Sequence, residues 1–125
     1  MVSGISSYGG EPYQPSTPSN SQEIILEMEQ LEAQLRADMG PPLQQQKLEE
    51  LLPKMEQFLE HNKEALYKIM ESNGFPVNGP FSISTEFDTA ISTLKNYLIH
   101  PNSGSIDLLN ESITQMNFYL NHKNK

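Results

Sequence analysis

Between residues 43 and 73 (LQQQKLEELLPKMEQFLEHNKEALYKIMESN) the chain repeats a seam. Leu48, Leu52, Met55, Leu59, Asn62, Leu66 and Ile69 follow one another at alternating steps of four and three. That spacing places one side chain per helical turn on a single stripe, as in a helix that buries one face against other helices. Leu51, Phe58, Ala65 and Met70 widen the stripe into a core-facing surface. The pattern predicts one long helix of roughly 46 Å, at 1.5 Å per residue. Pro53 falls inside it without changing the apolar phase, so a kink near Glu49–Pro53, or a restart there, is expected.

The same periodicity marks three further helices. Ile24, Met28, Leu31 and Leu35 step by four, three and four, with Ile25 and Met39 broadening the face. This first helix opens after Ser19-Asn20-Ser21, carries Glu23 in its first turn, and stops at Gly40-Pro41-Pro42. Phe87, Ile91, Leu94 and Leu98 repeat the seam in a helix starting at Ser84 or Thr85 and closed by His100-Pro101. Ile106, Leu109, Ile113, Met116 and Leu120 form the last one, from Ser105. No alternation long enough for a strand interrupts them. The expected fold is all-α: an antiparallel bundle of four helices organised on one long central helix, residues 43–73. Glu32–Arg36, Glu50–Lys54 and Glu64–Lys68 are i,i+4 pairs in the favourable orientation. Between the second and third helices, residues 74–84 (GFPVNGPFSIS) are turn-rich, and Phe75, Val77 and Phe81 are expected to plug the end of the bundle.

Residues 1–21 contain six Ser, three Gly, three Pro and a single charge, Glu11. So little apolar content cannot offset the entropy of ordering, which predicts a disordered tail (1–21) ahead of one helical domain (22–125). Tyr8 and Tyr13 could lie in a short recognition motif within that tail.

Helix lengths then suggest where the surface is unfinished. A first helix folded back by the 40–42 turn covers the first half of the long helix, and the last two cover its second half. A two-helix hairpin cannot enclose wide apolar stripes on both members. Ile24, Ile25, Met28, Leu31, Leu35, Leu48, Leu51, Leu52, Met55 and Phe58 are therefore the expected partner-binding face. Asn62, a polar residue on the seam, is the candidate for fixing register or specificity, the alternative being that the seam drifts outward there.

Charge narrows the partners. Sixteen acidic residues against eight basic ones give a net charge of −8, a field that repels nucleic acid. Residues 1–71 hold twelve acids and five bases, whereas residues 72–125 hold four and three. The second half is kept soluble by Ser, Thr and Asn, and such a charge-poor surface suits a protein contact.

Chemistry is sparse. The chain has no Cys, which removes thiolate nucleophiles, thiolate metal sites and disulfides. Three residues before His61, His100 and His122 stand Phe58, Tyr97 and Tyr119, so the Glu-x-x-His pattern of di-iron bundles is missing. No HExxH, EF-hand, P-loop or GxGxxG occurs. No apolar run reaches the 18 or so residues of a membrane span. These observations lead to a non-enzymatic interaction module, an adaptor, assembly factor or chaperone-like protein, with no cofactor and no metal. It would bind a partner helix or a second copy of itself through the hairpin face, in the cytoplasm. The alternative is a small exported or structural helical subunit, broadly resembling type III-like secretion components, with the Ser-rich N-terminus as an uncleaved, non-Sec export signal.

Overall fold

The computed structural model describes residues 21–124. The expected tail, with Tyr8 and Tyr13, lies outside the described residues apart from Ser21, which opens the first helix. Five helices make up the described chain: α1 (Ser21–Met39), α2 (Gln45–His61), α3 (Lys63–Ser72), α4 (Ile83–Ile99) and α5 (Ser103–Asn121). No strand occurs among the described residues.

The ends of these helices follow local chemistry. Gly40 adopts φ +93°, and a Cβ there would collide with the backbone carbonyl of Pro42, so only glycine leaves α1 by this route. Ser82 caps α4, its Oγ accepting from the Thr85 amide at 3.2 Å, which starts the helix slightly before the expected Ser84 or Thr85. Asn102 does the same for α5, accepting from the Ser105 amide at 2.9 Å. The seams of all five helices converge on one apolar cluster, in which Leu59, Leu66, Met70, Leu94, Leu109 and Ile113 are fully enclosed.

The expected long helix is interrupted, and at a different place from the one expected. Pro53 sits inside α2, which continues through it. Proline removes a single amide donor, and the buried neighbours Leu48, Leu51, Leu52 and Met55 hold both flanking turns against the core. The break falls at Asn62, whose φ of −108° and ψ of 18° leave the helical region. Its side-chain Nδ2 donates to the Phe58 carbonyl at 2.9 Å, the same oxygen its own backbone amide uses at 3.0 Å. Asparagine side chains compete with the backbone in this way and are poor residues for a helix interior.

The interruption changes what covers what. With α2 ending at His61, the remaining long helices are nearly equal: 19 residues in α1, 17 in α2, 17 in α4 and 19 in α5. Each spans about 26–29 Å, so α4 and α5 match α1 and α2 along their whole length. Packing runs from α1 to α2, from α2 to α4, from α4 to α5, and from α5 back to α1. The short α3 touches α1, α4 and α5.

Candidate interaction surface

Most of the expected partner-binding face is core. Ile24, Met28, Leu35, Leu48, Leu52 and Met55 are 0 % exposed, and Leu51 and Phe58 are nearly as enclosed. Ile25 and Leu31 are partly buried and pack against the same cluster. The exposed hairpin face is therefore corrected: α5 lies along α1 and α4 along α2, and together they cover it. The sequence argument failed because it treated residues 43–73 as a single rod, which left too little helix to reach the N-terminal hairpin.

Polar side chains fix α5 in that position. Glu32 Oε2 accepts from the Thr114 hydroxyl at 2.7 Å and pairs with Arg36 at 2.6 Å. Asn117 Nδ2 donates to Glu32 Oε1 at 2.6 Å and to the Met28 carbonyl at 3.3 Å. The Glu32 side chain keeps 16 % of its exposure, so both its oxygens are committed inside a largely covered seam. Of the three expected i,i+4 pairs, Glu32–Arg36 forms. Glu50–Lys54 and Glu64–Lys68 are on exposed positions and do not appear among the described ion pairs. Asn62 is 3 % exposed, which excludes the outward-drifting seam.

The loop between α3 and α4 divides its aromatics. Phe75 is buried, 4.4 Å from the Tyr119 ring and 5.9 Å from Phe118, and Val77 packs on the core. These two plug the bundle as expected; Phe81 does not. Phe81 is 82 % exposed, with φ of 55°. A non-glycine residue in this region is strained and persists only where its surroundings over-determine it. Here they do. The Tyr119 hydroxyl donates to the Phe81 carbonyl at 3.1 Å, and the Thr85 hydroxyl to the Gly79 carbonyl at 2.9 Å. The Ile83 and Ser84 amides donate back to Pro76 and Val77 at 2.9 and 3.0 Å. A phenyl ring is thus held out into solvent by a loop with little freedom to withdraw it. Burial pushes the Tyr119 hydroxyl pKa up, a hydrogen bond from Gln115 opposes this, and Glu86 adds to it, so Tyr119 stays protonated as the donor.

Other large apolar side chains stand open at Leu26, Leu43, Leu98, Ile99, Leu108 and Phe118, Ile99 at 71 %. Periodicity missed Phe81 and Ile99 because it finds what is buried. The signal that did point this way is the charge-poor second half, where Phe81, Leu98, Ile99, Leu108 and Phe118 all lie.

Among the described residues, no group of three or more His, Asp or Glu is arranged to hold a metal ion, and no helix is long and apolar enough to cross a membrane. Comparison with protein-family models, curated proteins and solved structures finds no significant match to this chain.

Proposed function

We propose that this chain is a non-enzymatic protein-interaction module, of adaptor, assembly-factor or chaperone-like type, that contacts its partner through the exposed side of the α4–α5 hairpin. In this reading the scaffold is an antiparallel bundle of α1, α2, α4 and α5, and it acts in the cytoplasm. The observation that carries the reading is Phe81, a solvent-exposed ring on a strained, hydrogen-bonded loop. Rigid aromatic anchors lose little entropy on docking and dominate interface energetics. Phe118 adds apolar surface at the Phe81 end of the hairpin, and Leu98, Ile99 and Leu108 extend it toward the other end, in a half of the chain with little charge to desolvate. Asn62, fixed at the α2–α3 junction, sets the register of the helices that support this surface.

Affinity capture from the native organism, with wild-type and Phe81→Ser proteins side by side, tests the reading. A protein retained by the wild type and lost from the variant, at unchanged thermal unfolding, is the expected result. Recovery by Phe81→Ser equal to that of the wild type would overturn it. Light scattering over a concentration range distinguishes a second copy of the chain from a different partner.

A further inference from the structure

Away from the α4–α5 surface, the seam between α2–α3 and α4 carries an aromatic pair with a cation already on it. Tyr67 and Phe87 meet edge to face, with ring centroids 5.5 Å apart. The Lys63 ammonium lies 5.8 Å from the Tyr67 centroid and 5.6 Å from that of Phe87, both within cation–π range. A cleft of about 220 Å³ opens at this point, lined by Glu60, Lys63, Phe87, Asp88, Ile91 and Ser92. At Glu60 it meets a second cleft of about 420 Å³, which reaches along α2 past Glu56 to Pro53. The second cleft is also approached by a lysine of the chain itself, Lys95, whose Nζ is 3.6 Å from Glu56. The first cleft thus reaches the Phe87 ring, 2 % exposed with Lys63 over it, beside an apolar wall at Ile91, and the two clefts together hold three carboxylates and two ammonium groups.

We propose that these adjoining clefts form a docking groove for a basic, arginine-bearing segment of a protein partner. One guanidinium takes the place of Lys63 against Tyr67 and Phe87, and a second lies between Glu56 and Glu60. The occupant follows from charge and shape. The chain carries −8 overall, so a basic segment is drawn toward it. A planar guanidinium stacks on a ring and forks onto a carboxylate, and it sheds water more readily than an ammonium does. Lys63 shows that the rings accept a cation. Its side chain is exposed, and among the described residues it makes no ion pair that would anchor it there.

The probe is a fluorescein-labelled hexa-arginine peptide, with hexa-lysine as the charge-matched control, titrated by anisotropy against the intact protein. Hexa-arginine is expected to bind several-fold more tightly than hexa-lysine. Asp88→Asn should weaken it about ten-fold, and Lys63→Ala, which frees the rings, should tighten it by about three-fold or more. Glu23→Gln, on α1, should leave binding near the wild-type value although it removes the same charge. Tyr67→Leu should abolish the preference for arginine, and its far-ultraviolet circular dichroism reports whether it still folds. Equal binding of the two peptides would overturn the groove, as would equal weakening by Asp88→Asn and Glu23→Gln, or no tightening in Lys63→Ala. Lys63 is exposed, so that last arm does not depend on a core substitution. None of these residues belongs to the Phe81 surface, so the groove and the α4–α5 contact fail separately.

Discussion

Single residues hold this chain at a few points where no ordinary substitute fits. Gly74 has φ of +96°, and a Cβ there would stand 2.7 Å from the Asn124 carbonyl oxygen. Gly74→Ala combines backbone strain with a clash against backbone, and should cost about 1–3 kcal/mol, read from the urea midpoint at unchanged slope. Glu32 has a different kind of importance, because it is half-buried against Thr114 and the buried Asn117. Glu32→Leu removes the acceptor of Thr114 and leaves Asn117 only its longer bond to the Met28 carbonyl, and should lose about 1–3 kcal/mol. Adding Asn117→Leu should recover part of that loss, since removing both partners is milder than stranding one. A double-mutant cycle by chemical denaturation measures the coupling, and strictly additive losses would contradict it.

At the scale of elements, the sequence was most legible where periodicity and breakers agreed. The seams of α1, α4 and α5 lie in or against the core except at Leu98, which the end of α4 leaves exposed, and the left-handed Gly40 stop stands just before the two prolines. Legibility failed at the break in the central helix. Pro53 is the stronger breaker on paper, yet tertiary packing carries α2 through it, and the weaker Asn62 takes the interruption. Local propensity ranks the candidates but does not know which turn is anchored on both sides. That one misplacement propagated, because a helix assumed twice too long implied an uncovered hairpin. The true exposed rings were invisible to the pattern for a related reason: Phe81 belongs to a loop with no period. Capping offers a test at this scale. Ser82→Ala removes the acceptor for the Thr85 amide, and should destabilise α4 by about 1 kcal/mol, seen as a lower thermal midpoint.

For the molecule as a whole, charge sets the response to pH. Burial pushes the carboxyl pKa of Glu27 above its ordinary value. Burial also raises that of Glu86; a hydrogen bond from Ser112 works against the rise and the neighbouring Glu111 adds to it. Each group binds its proton more tightly in the folded chain than in the unfolded one. Folding is then favoured as pH falls through the raised values toward the ordinary carboxylate range, and disfavoured as pH rises out of that window. The self-repulsion of a chain at −8 eases in the same direction. Thermal midpoints should therefore climb as pH falls through the raised values of Glu27 and Glu86. The climb should shrink in Glu27→Gln/Glu86→Gln, and a midpoint that falls monotonically would contradict the assignment.

Near Gly74 the C-terminal strap is tied down: the Asn124 amide donates to the Asn73 carbonyl at 2.7 Å, and its Nδ2 to Gly74 at 3.0 Å. The start of α1 is close by, since Gln22 and Ile25 share a cleft with Asn121. Both exits of the described chain thus leave from one pole, the same pole as the Phe81 loop. A fusion partner or surface tether attached directly after Asn124 will crowd that ring while the opposite pole, with Leu43 and Ile99, faces open solution. Capture experiments on this protein will accordingly favour whatever grips the far pole, unless the tag is placed on a long leash or moved to an internal corner such as Asn102.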